Sequence, residues 1–99
     1  MSNKDRTYKI KFREDAAKEW KKLRSNIQQQ FAKKLKALTI NPYIPSAKLS
    51  GMPNCYKIKS KASGYRLVYE VVDKKLIIVV VTIGKRNRNE VYEIAKKRL

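Results

Sequence analysis

Tyr65-Arg-Leu-Val-Tyr-Glu-Val-Val-Asp-Lys-Lys-Leu-Ile-Ile-Val-Val-Val-Thr-Ile83 decides the fold. Its first part, Tyr65 to Val72, is apolar at Tyr65, Leu67, Tyr69 and Val71, with Arg66 and Glu70 between them. That period of two predicts a strand with one core-facing side. Asp73-Lys74-Lys75 turns the chain. Leu76 to Ile83 is almost entirely β-branched, as expected of a strand buried on both faces. Two adjacent strands joined by a three-residue turn predict an antiparallel hairpin. Upstream, Cys55 to Lys59 also alternates, with Tyr56 and Ile58 on one side and Lys57 and Lys59 on the other. Ser60 to Gly64 then reads as a hairpin loop.

Further upstream the period changes. Ala16, Trp20 and Leu23, with Ala17 alongside, form a helical stripe behind Glu14 and Asp15, which suit a helix's positive end. Ser25-Asn-Ile-Gln28 has a capping-box pattern, and Ile27, Phe31, Leu35 and Leu38 carry a second helix. Asn41-Pro42 stops it, because a residue before proline disfavours helical geometry. Pro42 to Pro53 reads as a loop. At the start, Tyr8, Ile10 and Phe12 alternate with Lys9 and Lys11 in a first strand. At the end, Gly84 closes the buried strand, a basic loop follows, and Asn89 is placed to cap a helix carrying Val91, Ile94 and Ala95. The order βααβββα predicts an α+β fold: a small, mostly antiparallel four-stranded sheet with an N-terminal helical hairpin and a C-terminal helix. Where the first strand joins is left open. Length and the absence of repeats predict one domain over residues 1–99.

Charge narrows the function. Lys and Arg number 25 and Asp and Glu 8, a net charge of +17. Self-repulsion on that scale weakens a small fold, and a polyanion such as a phosphate backbone offsets it. A membrane surface is the rival partner, but the longest apolar run, Leu76 to Val81, is far too short to span a bilayer. Met1 to Arg6 is polar and reads as no secretory signal; Cys55 is the only cysteine, so a reducing cytoplasm is expected. With no histidine, one cysteine and scattered acids, the usual zinc sites and the Ser-His and Cys-His pairs are excluded. No metal or other cofactor is expected. Any catalysis falls to Lys, Arg and Tyr.

Lys57 and Lys59 lie about 7 Å apart along one strand face. They are either a solvated face or a site in which a lysine crowded by cations releases its proton more easily. Arg66 is expected on the same face if the hairpin closes tightly. It suits an ion pair with Glu70 or, equally, a phosphate clamp. Lys85, Arg86 and Arg88 follow a buried strand, where a surface turn is also a well-held, exposed position. Lys61 falls in the hairpin loop. Tyr92 is expected to pack beside the last helix's stripe, and Cys55 to be a buried small hydrophobe. Together these residues describe a cationic site interleaved with aromatics, suited to single-stranded RNA.

Four stretches carry a family resemblance: Lys18-Glu-Trp-Lys-Lys-Leu23, Lys48-Leu-Ser-Gly-Met-Pro-Asn-Cys-Tyr-Lys-Ile-Lys59, Ser63-Gly-Tyr-Arg-Leu-Val-Tyr-Glu-Val-Val-Asp73 and Ile83-Gly-Lys-Arg-Asn-Arg-Asn-Glu-Val-Tyr92. Nearly the whole chain resembles the RelE toxins of bacterial toxin–antitoxin systems. The resemblance implies a ribonuclease that enters the ribosomal A site and cuts mRNA without metal. The 2′-hydroxyl attacks the adjacent phosphate, leaving a 2′,3′-cyclic phosphate and a 5′-hydroxyl. Residue by residue, it implies Lys57 as transition-state stabiliser, Lys59 as general base, Arg66 on the scissile phosphate, Arg86 at the leaving oxygen and Tyr92 stacked on a base. Lys61, Lys85 and Arg88 would bind RNA beside them. An arginine, with a pKa above about 12, hardly ever releases its proton, so Arg86 is read as a charge stabiliser. The implied partners are ribosome-bound mRNA, an acidic RelB-like antitoxin and, only through that complex, operator DNA, with no membrane. Two rival readings share the composition: a ParE-like gyrase inhibitor without nuclease chemistry, and a non-catalytic RNA- or ribosome-binding protein.

Overall fold

A computed structural model describes residues 7–60, 64–85 and 90–99. The elements are β1 (Lys9–Phe12), α1 (Glu14–Lys21), α2 (Ser25–Leu38), β2 (Cys55–Ser60), β3 (Tyr65–Val72), β4 (Ile77–Lys85) and α3 (Glu90–Arg98). The sheet order is β1-β4-β3-β2. β2, β3 and β4 are antiparallel neighbours, and β1 joins β4 in parallel, Phe12 opposite Val80. The sheet is thus mostly antiparallel, in the expected order, and β1 takes the place that the sequence leaves open.

The two helical stripes need a surface to cover them, and one face of the sheet supplies it. Ala16, Ile27, Phe31 and Leu35 pack against Tyr56, Ile58, Leu67, Tyr69, Ile78 and Val80. The other face carries a smaller cluster in which Cys55, Val68 and Val81 meet Val91 and Ala95 of α3. β4 therefore lies between two apolar layers, which is why it is nearly all β-branched, although Ile77 and Val79 are only half-buried. Alternation breaks once along it. Val68 pairs with Thr82 and Tyr69 with Val80, so Val81 is an extra residue in a β-bulge. Val81 faces the α3 side by ordinary alternation, and the bulge returns Ile83 to the α1–α2 side.

Several local expectations change. The capping box at Ser25 does not form: Arg24 is the N-cap, without a side-chain cap bond. Gln28 instead donates its amide to the Trp20 carbonyl, 2.7 Å away, tying α2 to the end of α1. The same carbonyl takes the Leu23 amide at 3.1 Å, so the Gln28 side chain adds a second bond at the helix end. Leu76 is not in the strand but ends the turn in the left-handed region, at φ 53°. Ile94 is 36% exposed, so the buried stripe of α3 is Val91 and Ala95 alone. The expected cap, Asn89, lies outside the described residues. No described helix is long and apolar enough to cross a membrane.

At the sheet end away from Lys59, tyrosines link the layers. Tyr56 stacks on Tyr69 with ring centroids 5.4 Å apart, and Tyr43 meets Tyr56 edge-on at 6.1 Å. Tyr43 also donates its hydroxyl to Asp73, 2.8 Å away in the β3–β4 turn. The Tyr69 hydroxyl donates to the Pro42 carbonyl at 2.9 Å, holding the segment after α2 against the sheet. Burial, and then Tyr56, push the Tyr69 pKa above its usual range. Tyr69→Phe would leave that carbonyl without its buried donor, a loss of about 1–2 kcal/mol. The melting temperature should then fall by roughly 4–16 °C for a chain of this size. An unchanged melting temperature would mean that water already serves the Pro42 carbonyl.

Candidate active site

The hairpin of β2 and β3 brings the expected cations together. Lys59 lies directly opposite Arg66, and Lys57 opposite Val68. Directly opposed residues share a face, so Lys57, Lys59 and Arg66 all point to the α3 side while Tyr56, Ile58 and Leu67 enter the larger core. On β4, Gly84 is opposite Arg66. Val91 of α3 comes down over this glycine, 3.8 Å from where a Cβ would stand.

α3 brings the fourth residue. Tyr92 is half-buried against the smaller core, and the Lys57 ammonium lies 5.9 Å from its ring centroid. That is within the range of a cation–π contact. One edge of the ring serves the fold, while its position beside Lys57 puts it among the cations.

Arg66 is buried to 8% exposure. Its guanidinium donates to the Tyr65 carbonyl at 3.2 Å, and among the described residues no carboxylate pairs with it. The ion pair with Glu70 considered for it does not form. A buried guanidinium without a counter-ion is costly and is stabilised by an anion brought from outside. Its planar fork matches phosphate oxygens. With Lys59 one strand away and Lys57 diagonal to it, the three cations can surround a phosphodiester, and the Tyr92 ring can stack on an adjacent base.

Other expected residues stand apart. Lys85 is opposite Tyr65, its ammonium 5.7 Å from that ring, on the far face of the sheet from Lys59 and Arg66. Lys61, Arg86 and Arg88 lie outside the described residues. Cys55 shares the face of Lys57 but is fully buried, and burial, then Glu70, pushes its thiol up to about 11. A thiol so held is no nucleophile at neutral pH. Among the described residues, no three His, Cys, Asp or Glu side chains group as metal ligands would.

Two supports were not legible beforehand. Lys34 of α2 donates to the Lys59 carbonyl at 2.7 Å, and the Ser60 hydroxyl donates to Gln30 at 2.9 Å. Both hold the end of β2, and so the Lys59 backbone, onto α2. Gln30 and Lys34 are one helical turn apart and off the apolar stripe, where polar residues are ordinarily solvated; only their spacing could have hinted at a shared task.

Residues 10–90 match the family described as the ParE toxin of type II toxin–antitoxin systems, parDE. A RelE-like toxin protein of Escherichia coli is 63% identical over 92 residues, 93% of this chain and 97% of the relative. The mRNA interferase toxin RelE of Escherichia coli K12 is 51% identical over the same shares. Among solved structures, a double arginine-to-alanine mutant of Escherichia coli RelE in the free state superposes with a TM-score of 0.88 at 48% identity, covering 94% of this chain and 98% of that one. The toxin in the Escherichia coli RelBE toxin–antitoxin complex superposes with a TM-score of 0.79 at 49% identity, covering 82% and 99%. Identity at this level over nearly the full length, on the same sheet and helices, leads to one conclusion: the chain belongs to the RelE/ParE family of type II toxin–antitoxin toxins, and among them to the RelE-like toxins.

Proposed function

We propose that this chain is an mRNA interferase, the toxin of a type II toxin–antitoxin pair, which cuts mRNA in the ribosomal A site without a metal ion. The observation that carries the reading is the cluster itself: Lys57, Lys59 and Arg66 on one face of the β2–β3 hairpin, with the Tyr92 ring beside the Lys57 amine. The names of the relatives agree with it.

The chemistry is a transesterification within the RNA. Lys59, acting as the amine, takes the proton of a 2′-hydroxyl. The 2′-oxygen bonds to the adjacent phosphorus while Arg66 and Lys57 hold the non-bridging oxygens, whose charge grows in the transition state. The bond from phosphorus to the 5′-oxygen breaks, leaving a 2′,3′-cyclic phosphate. Arg86 stabilises the leaving oxygen by charge and hydrogen bonding, and water returns the proton. Tyr92 stacks on a base and fixes the attacking ribose. Lys61, Lys85 and Arg88 add cationic contacts for RNA. The net charge of +17 suits an acidic antitoxin, and the superposition on the toxin of the RelBE complex supports such a partner. Operator DNA is reached through that complex, and the cytoplasm is where ribosome, mRNA and antitoxin meet.

The match to the ParE family supports a second reading, inhibition of gyrase. A translating extract separates the two. The protein should produce discrete cuts within the open reading frame of a translated mRNA while leaving plasmid supercoiling unchanged. Loss of supercoiling with intact mRNA would establish the second reading instead.

Tyr92 tests the site residue by residue. Base–aromatic stacking contributes about 1–3 kcal/mol, and about 1.36 kcal/mol is tenfold in rate, so Tyr92→Ala should slow cleavage roughly ten- to hundredfold. Tyr92→Phe keeps the ring and should cut nearly as fast as the parent. Tyr92→Ala should melt close to the parent, because the ring is only half-buried. A Tyr92→Ala protein that melts far earlier yet cuts normally at low temperature would assign the ring to the fold alone.

A further inference from the structure

α3 brings Tyr92 to the site, yet little apolar surface holds it there. Of its nine residues only Val91 and Ala95 are buried, while Ile94 and, just beyond the helix, Leu99 face solvent. A helix this short is not stable by itself in water. Its far end is held differently. The Arg98 guanidinium donates to Glu19 of α1 through both terminal nitrogens, Nη1 to Oε1 and Nη2 to Oε2, each at 3.0 Å. Nη1 also donates to the Val81 carbonyl at 2.9 Å, and Nε lies 3.8 Å from Asp15. The two main partners are largely buried, their side chains 17% and 27% exposed.

The location explains the pair. β1 ends opposite Val80, so beyond that residue the β4 edge has no strand beside it. Glu19 Oε1 takes the Ile83 amide at 3.0 Å and the Thr82 hydroxyl at 3.2 Å. Arg98 takes the Val81 carbonyl, at the bulge. Together the two side chains replace the missing strand and fasten α3 to α1 across the open edge. Backbone groups at such an edge need partners when buried.

We propose that Glu19 and Arg98 are positioning residues for RNA cleavage: their ion pair at the open edge of β4 sets α3 on the sheet and so holds the Tyr92 ring beside Lys57. This rests on the reading of Tyr92 as the residue that stacks on a base. Arg98 is less than two helical turns from Tyr92 on a helix with few other anchors, so a change in its hold is passed directly to the ring. The pair's hydrogen bonds go to Val81, Thr82, Ile83 and each other, at the edge of β4, and not to Lys57, Lys59 or Arg66. It acts only through α3.

A double-mutant cycle with Tyr92 tests this. Arg98→Gln, in the full chain with translating ribosomes, should slow single-turnover cleavage by about tenfold, the lower range of a lost base stack. Amide exchange over Glu90–Arg98 should speed up by about tenfold or more while β3 amides keep their protection. Arg98→Lys keeps the charge but cannot span Glu19 and Val81 together, and should fall between the two. In a Tyr92→Ala background, Arg98→Gln should slow cleavage no further, because the ring it positions is gone. If the two effects multiply, or if Arg98→Gln cuts like the parent although Tyr92→Ala is slow, the inference is overturned and the site reading stands. If Tyr92→Ala alone cuts like the parent, the site reading fails and the inference with it.

Discussion

Lys59 lies across from Arg66 because β2 and β3 are joined in one register, Cys55 to Glu70 through Ser60 to Tyr65. A slip of one residue would turn Lys57 and Lys59 into the core and Tyr56 and Ile58 out to solvent. Burying two ammonium groups and exposing two large apolar side chains makes that alternative prohibitive. The register that the core demands is thus the one that assembles the cations. The stacked Tyr56 and Tyr69, directly opposite each other, hold it from the core side. Lys34 and Gln30 hold the open end of β2 from α2.

Fold and function divide the sheet between them. The larger core under α1 and α2 is a conventional apolar layer. The other face is thinner, and α3 covers it with few buried side chains. Lys57, Lys59 and Arg66 lie together on that side. A buried Arg66 with no carboxylate partner among the described residues is a liability to the free protein and an asset to one that binds phosphate. A polyanion offsets the self-repulsion of the net charge of +17.

Much of this was legible in the residues. Tyr65 to Val72 and Asp73 to Lys75 fall where alternation and turn chemistry put them, and β4 differs by a residue or two at its ends. The shared face of Lys57, Lys59 and Arg66 follows from a period of two plus a tight hairpin. Other features depend on contacts distant in sequence. The place of β1 beside β4 is decided by which edge remains after the hairpins form. The bulge at Val81 is invisible in a run where every neighbour is β-branched. Gln28 fits a capping box on paper, but its side chain reaches back to the Trp20 carbonyl at the end of α1 instead. Lys85 adjoins the other basic residues in sequence, yet alternation at the strand end puts it over Tyr65. Glu19 and Arg98 meet across the whole chain, and neither carries a local signal.

The central claim is that these side chains cut RNA by activating its own 2′-hydroxyl. The most direct test is single-turnover cleavage of a ribosome-bound mRNA carrying one 2′-deoxynucleotide at the mapped cut position. The account predicts no cleavage there, with the all-ribose control cut to a 2′,3′-cyclic phosphate and a 5′-hydroxyl. Normal cutting at the deoxynucleotide would contradict it.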